Sequence, residues 1–141
     1  MYLLDTDHIG VLQRRSEPEY SNLSCQLLYV PPSAVFVSIV SFHEQVAGWQ
    51  AYLNRAKSSE AVIRAYAMFE QILMDFARAR VAAFDAAAST KFQELRSQGL
   101  RIGTLDLRIA AVALSRGFTV LTRNTVDFAR IPGLQVEDWT R

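Results

Sequence analysis

The stretch MYLLDTDHIG, residues 1–10, places a short apolar run directly before two acids and a histidine. Met1 to Leu4 contain no charged residue, which favours a buried β-strand. Asp5 follows at once, and a carboxylate directly after a buried strand needs a hydrogen-bonding partner or a metal ion. The stretch therefore predicts a strand that delivers an acid to one edge of a sheet.

Strand-like and helix-like segments alternate along the rest of the chain. AVFVSIV (34–40) and FTVLT (118–122) are continuous apolar runs typical of strands buried on both faces, and LQVEDW (134–139) predicts a short last strand. Helical spacing of apolar residues is clearest over 58–79. This order predicts an α/β fold, a three-layer α/β/α sandwich with a central, mostly parallel sheet. The chain has 141 residues and no linker or repeat, so we expect one domain over 1–141.

Composition says little about partners but does indicate a compartment. The net charge of +1 makes no argument for nucleic acid binding, although the cations are thirteen arginines and only two lysines. The single Cys25 cannot form an internal disulfide, and its apolar-leaning surroundings predict a buried thiol in a reducing compartment. The sequence shows no signal peptide and no membrane span. We therefore expect a cytoplasmic protein with no membrane partner.

Oxygen-bearing side chains stand beside each predicted strand end. Asp5 ends the first strand, and Glu44 lies one turn into the helix after the second. Asp106 lies in the first turn of the helix before the third strand, and Asn124 and Asp127 follow that strand. Ligands of parallel sheets bind beyond the carboxyl ends of the strands, so four separate segments are expected to meet there.

Each polar residue also has an explanation that involves no chemistry. Ser41 is predicted to end the second strand, and with Glu44 three residues later it forms a capping-box pattern. Asp106 would complement a helix dipole, and Asn124 with Asp127 forms another capping pattern. Asp7 is as well suited to capping the first helix as to touching a ligand. His8 is interpreted as a surface or packing histidine.

Acidic side chains that converge on one place repel one another electrostatically. Two carboxylates about 4 Å apart repel by roughly 4 kcal/mol at an effective dielectric constant near 20, so several together destabilise a fold unless a cation joins them. Oxygen ligands without paired Cys or His favour Mg²⁺ or Mn²⁺ over Zn²⁺. Such ions serve best in reactions at phosphate. The residues therefore predict metal-dependent phosphoryl transfer or phosphodiester cleavage.

Four segments together resemble the successive motifs of the PIN domain, as found in VapC toxins of bacterial toxin–antitoxin systems. They are YLLDTD (2–7), SFHEQVAG (41–48), IGTLDLRIAAVAL (102–114) and VLTRNTVDFARIPGLQVEDW (120–139). Each motif alone is weak, but the four occur in the family's order and spacing and cover nearly the whole chain. The resemblance implies a PIN-like fold and a ribonuclease that cleaves RNA with metal-activated water.

The resemblance also implies which residues form the site. Asp5 and Asp106 match the principal ligands of one or two Mg²⁺ or Mn²⁺ ions, and Glu44 matches the family's second acid. Family members carry the fourth acid where Asn124 or Asp127 stands here, so that ligand is left open. The implied catalytic set is Asp5, Glu44, Asp106 and Asp127, with Asn124 as a further metal ligand.

Further positions are implied to bind or orient the substrate. Thr6 and Thr122 match polar positions that orient the site or the scissile phosphate. Arg123 and Arg130 flank the same edge and are candidates for phosphate contacts. Asp7 departs from the family, which more often has Asn at that position, and adds negative charge.

Partners are implied as well. The family pattern predicts a homodimer, a cognate antitoxin that binds as a helix in a groove, and an RNA substrate. The helix that carries Phe69, Ile72 and Phe76, with the earlier helices around Leu12 and Leu53, offers apolar surface for such contacts, although ordinary core packing is the simpler explanation for each residue alone.

Two other functions compete with this interpretation. One is a catalytically silent PIN-like scaffold that binds RNA or protein, which Asn124 permits. The other is a haloacid-dehalogenase-like phosphatase, in which Asp5 would be a nucleophile and Asp7 a general acid. The phosphatase would need a lysine late in the chain, but the last lysine is Lys91, before the third acid.

Overall fold

A five-stranded parallel sheet lies at the centre of the fold, with strand order β3-β2-β1-β4-β5. This computed structural model describes residues 1–141. The strands are β1 (Tyr2–Leu4), β2 (Val35–Ser38), β3 (Val81–Ala82), β4 (Thr119–Leu121) and β5 (Val136–Glu137). The helices are α1 (Thr6–Arg14), α2 (Glu19–Leu27), α3 (Ile39–Arg55), α4 (Ser59–Ala77), α5 (Ala86–Ser97), α6 (Thr104–Arg116) and α7 (Thr125–Phe128), and a 3₁₀ turn covers Pro32–Ala34.

Two apolar cores cover the two faces of the sheet, as the predicted sandwich requires. Leu3 and Val120 face a core built mainly with α5 and α6. Leu4 and Leu121, the next residue of each strand, face a second core built with α1, α2 and α4. Alternate strand residues point to opposite faces, so each short strand contributes to both cores. The α/β sandwich and the parallel sheet are confirmed.

The register of β1 sets the level at which the chain leaves the sheet. Leu4 lies beside Val37 of β2 on one side and Leu121 of β4 on the other. The Asp5 amide then donates to the Leu121 carbonyl at 2.9 Å. Three strands therefore end at one level, and the residues that follow them emerge side by side.

The end of β2 differs from the prediction. The strand stops at Ser38, whose hydroxyl accepts the Val40 amide at 3.0 Å and caps α3. Ser41 is therefore a buried residue inside the helix and not its cap. Ile39 and Val40 are β-branched, which favours a strand, but the capping Ser38 starts the helix before them. Glu44 thus has no capping role.

Two surface features also bear on the predictions. Cys25 is exposed, so the predicted buried thiol is wrong. Helix α4 packs Ile72 and Phe76 into the second core, as its spacing indicated, yet leaves apolar side chains such as Ile63 and Tyr66 in solvent. None of the helices combines the length and the hydropathy that crossing a membrane requires.

We predict that Ser38→Ala lowers the free energy of unfolding by about 1 kcal/mol, because the Val40 amide loses its capping acceptor. Urea denaturation measures the change. Ser59→Ala is the matched control, since Ser59 is exposed in the first turn of α4 while Ser58 provides that cap. Equal losses in the two variants would contradict the assignment of Ser38 as the cap.

Candidate active site

A polar cavity opens where the strands end. Its volume is about 390 Å³ and none of its lining residues is hydrophobic. The lining residues are Asp5, Thr6, Asp7, Arg14, Glu44, Asp106 and Asn124. The structure thus brings together side chains from the four segments that the sequence singled out: three contribute acids and the fourth contributes the amide of Asn124. The register of β1, β2 and β4 brings these segments to one edge.

Asp5 lies at the floor of this cavity and is only 5% exposed. It caps α1: its Oδ1 accepts the Thr6 amide at 2.8 Å, and its Oδ2 accepts the Thr122 hydroxyl at 2.8 Å. Burial and the nearby charge of Asp7 raise the pKa of Asp5 to about 7, against the effect of these hydrogen bonds. The fold therefore holds this carboxyl in an environment that disfavours its charge.

Glu44 lies in the second turn of α3, the helix that follows β2. The Thr6 hydroxyl donates to Glu44 Oε2 at 2.6 Å and lies 3.0 Å from the Ser41 hydroxyl. Thr6 thus fixes one oxygen of Glu44, which leaves the other available to the cavity. Ser41 is therefore not a helix cap, as the sequence predicts, but a hydrogen-bonding partner of Thr6.

Asp106 stands in the first turn of α6 and is half-buried. Burial raises the pKa of its carboxyl, and the charges of Glu44, Asp127 and Asp7 raise it further. Three neighbouring acids therefore disfavour the charge of Asp106. A cation placed among them would remove that repulsion.

Asn124 and Asp127 form a pair at the rim. The Asn124 side-chain amide donates to Asp127 Oδ2 at 3.0 Å, and Arg130 contacts Asp127 Oδ1 at 3.4 Å. Asn124 lines the cavity, whereas Asp127 lies behind it. The amide of Asn124 is thereby oriented with its nitrogen toward Asp127.

Thr122 and the main chain after it connect β4 to the acids. The Thr122 hydroxyl is fully buried between Asp5 and Asp7, at 2.8 Å and 3.3 Å from their carboxylates. The Arg123 amide donates to Asp7 at 2.9 Å. The Arg123 guanidinium, by contrast, extends toward Glu19 at 3.8 Å. Arg123 therefore supports the site through its backbone.

Asp7 and His8 have roles that the sequence did not reveal. Asp5 caps α1, so Asp7 does not, and His8 is fully buried. The Trp139 amide donates to His8 Nε2 at 3.3 Å, so Nδ1 carries the proton and donates to Asp7 at 2.8 Å. His8 thus links Asp7 to the residues after β5. Only the tertiary fold shows this link, since Trp139 is distant in sequence.

Arg14 is a second residue that the sequence interpretation missed. It belongs to the last turn of α1, yet it lines the cavity because its guanidinium folds back over Gly10. The sequence does contain one signal for this position of Arg14. Gly10 precedes it by four residues, and a helical side chain covers the turn before its own residue.

The donor set suits a hard divalent cation. Every acidic or amide ligand in the cavity offers oxygen, but no group of three or more His, Cys, Asp or Glu side chains is arranged to hold a metal ion by itself. Mg²⁺ is commonly bound by one or two carboxylates while it keeps several waters. Asp5, which is buried, and Asp106, which is half-buried, both have a raised pKa and fit that mode of binding.

Comparison with known proteins identifies the family. The sequence pattern of the PIN domain matches residues 2–134. The chain belongs to the PIN domain family. Its fold also superposes on the structure of VapBC-1 from nontypeable Haemophilus influenzae with a TM-score of 0.75 and 25% identity, over 99% of this chain and 98% of the other.

Two curated relatives cover the whole length of this PIN domain. Ribonuclease VapC2 of Rickettsia felis is 29% identical over 148 residues, 100% of this chain and 99% of that protein. The tRNA(fMet)-specific endonuclease VapC of Salmonella typhimurium is 28% identical over 142 residues, 98% of this chain and 97% of that protein.

The raised pKa of Asp5 makes stability depend on pH in a defined direction. Between pH 4 and 7 the folded protein keeps a proton that the unfolded chain has lost, so stability falls as pH rises through this range. We predict that Asp5→Asn is more stable than wild type at pH 8, by at most about 4 kcal/mol, and about equally stable at pH 4. Urea denaturation with a chelator present measures both.

Asp85→Asn provides a control of opposite sign. The Ala88 amide lowers the pKa of the Asp85 carboxyl, so its charge favours the folded state at pH 8. Asparagine should lower stability there slightly. An Asp5→Asn protein that is less stable than wild type at pH 8 would contradict the assignment of Asp5 as a strained buried acid.

Proposed function

We propose that this PIN domain is the toxin ribonuclease of a toxin–antitoxin pair and hydrolyses RNA phosphodiester bonds with Mg²⁺ or Mn²⁺. The observation that carries the proposal is the all-polar cavity at the carboxyl ends of the strands, where burial and neighbouring acids raise the pKa of both Asp5 and Asp106. Relatives named as ribonucleases over the full chain support it.

Asp5 and Asp106 are the proposed metal ligands. Asp5 is fixed by Thr6 and Thr122 through both oxygens, and each oxygen keeps a lone pair. A metal ion bound there would supply a water of lowered pKa and a positive charge at the phosphate. Thr122, as the partner of both Asp5 and Asp7, keeps the floor of the cavity in one arrangement.

Glu44, Asn124 and Asp127 are assigned supporting roles. Glu44 has one oxygen held by Thr6, and we assign its other oxygen to the attacking water or to a second ion. Asn124 faces the cavity, and Asp127 orients it from behind together with Arg130. This arrangement favours Asn124 as the group that meets a ligand directly, with Asp127 as the source of charge at the rim.

The proposed partners are RNA, a cognate antitoxin and a second copy of this chain in the cytoplasm. Solved relatives of this fold include VapBC complexes, which supports an antitoxin partner. Helix α4 presents Ile63, Tyr66, Leu73 and Met74 to solvent, and an exposed apolar face of this kind is typical of an interaction surface. These residues differ from Phe69, Ile72 and Phe76, of which the last two lie in the core.

We predict that Asp106→Asn lowers RNA cleavage at least 100-fold in Mg²⁺ or Mn²⁺, because a metal ligand loses its charge. Gel analysis of tRNA incubated with purified protein measures the rate. Asp85→Asn is the matched control: the same substitution falls at the exposed cap of α5, outside the cavity, where asparagine still caps the helix. Full activity of Asp106→Asn would remove this residue from the site.

We also predict that Mg²⁺ or Mn²⁺ raises the melting temperature, because the ion binds only the folded cavity. At an ion concentration 100 times the dissociation constant the stabilisation is about 2.7 kcal/mol. Thermal unfolding of wild type and Asp106→Asn, with and without the ion, measures it. Equal melting curves and no cleavage would favour the silent scaffold instead.

A further inference from the structure

Arg14 is the only cation that lines the acidic cavity. Helical side chains lean toward the helix N-terminus, so a residue in the last turn of α1 points back toward the turn that begins after Asp5. The Arg14 side chain follows this direction. It thereby reaches the mouth of the cavity from a position nine residues beyond Asp5.

Gly10 provides the space that the guanidinium occupies. A Cβ atom at position 10 would lie 2.8 Å from Nη1 of Arg14 and 3.0 Å from Nη2. Glycine inside a helix is less favourable than alanine, and Gly10 is buried in the middle of α1. Its presence is explained if the guanidinium has to lie against the helix backbone.

Arg14 also keeps its hydrogen-bond donors free. None of the seven ion pairs of the molecule includes it, although four acids stand nearby. Arg123 and Arg130, the arginines expected from the sequence to contact phosphate, are instead engaged with Glu19 and Asp127. An unpaired guanidinium offers a planar fork of N–H groups that matches two phosphate oxygens.

We infer that Arg14 binds a phosphate of the RNA substrate beside the acidic cavity and positions the strand for cleavage. This inference rests on the proposed ribonuclease function and assigns the residue that holds its substrate. The acids repel a polyanion, and a cation at the mouth of the cavity attracts one of its phosphates and so offsets part of that repulsion. Gly10, which has no side chain, leaves the space in which the Arg14 guanidinium lies against α1.

The test measures binding of a fluorescein-labelled single-stranded RNA by anisotropy in the cleavage-deficient Asp106→Asn background. Arg14→Ala is expected to weaken binding about tenfold and to reduce the slope of log K against log salt by about 0.7. Arg14→Lys should keep the slope but bind more weakly than arginine, because the fork is lost. Gly10→Ala should weaken binding without lowering the melting temperature, because it displaces the guanidinium and leaves the charge.

Arg15→Gln is the control, since it removes the same charge from the neighbouring residue, whose guanidinium stacks over Tyr20. Equal weakening by Arg14→Ala and Arg15→Gln would overturn the inference, because it would show only a general effect of charge. Wild-type protein that binds RNA without cleaving it would instead contradict the proposed ribonuclease function. The binding constants of Arg14→Ala and Arg15→Gln would still decide whether Arg14 contacts RNA.

Discussion

The pairing of β1 with both β2 and β4 is the constraint on which the site depends. Leu4 is level with Val37 and Leu121, and the next amide, that of Asp5, still pairs with β4. A slip of one residue would move Asp5 to the other face and exchange the two cores. Tight burial of Leu4 and its partners therefore fixes where the first acid stands. The remaining acids are placed relative to it.

Holding these acids together costs stability that the two cores must supply. The pKa of Asp5 is raised to about 7, and that of Asp106 is raised by burial and by its acidic neighbours. Hydrogen bonds from Thr6 and Thr122 offset part of this cost. Such strain is typical of sites prepared for a charged ligand. Uncharged replacements at these two positions would remove this electrostatic cost.

The sequence predicts the parts of the site that lie beside regular elements. Asp5 and Asp106 could be placed because apolar runs mark the strand and helix beside them. The start of α3 could not be placed from the sequence, since Ile39 and Val40 suit a strand. Only the hydrogen bond from the Val40 amide to Ser38 decides between strand and helix. The link from His8 to Trp139 depends on where β5 joins the sheet. The presence of Arg14 in the cavity lining depends on the direction of its side chain, which hydrophobic periodicity alone does not predict.

The uniform strand direction separates two kinds of surface. Every strand leaves the sheet at the acidic edge, so the segments that lead into the strands, such as 78–80 and 132–135, enter at the opposite edge. A strand of three residues separates the edges by about 10 Å. A substitution in one of these entry segments therefore lies about one strand length, roughly 10 Å, from the acids.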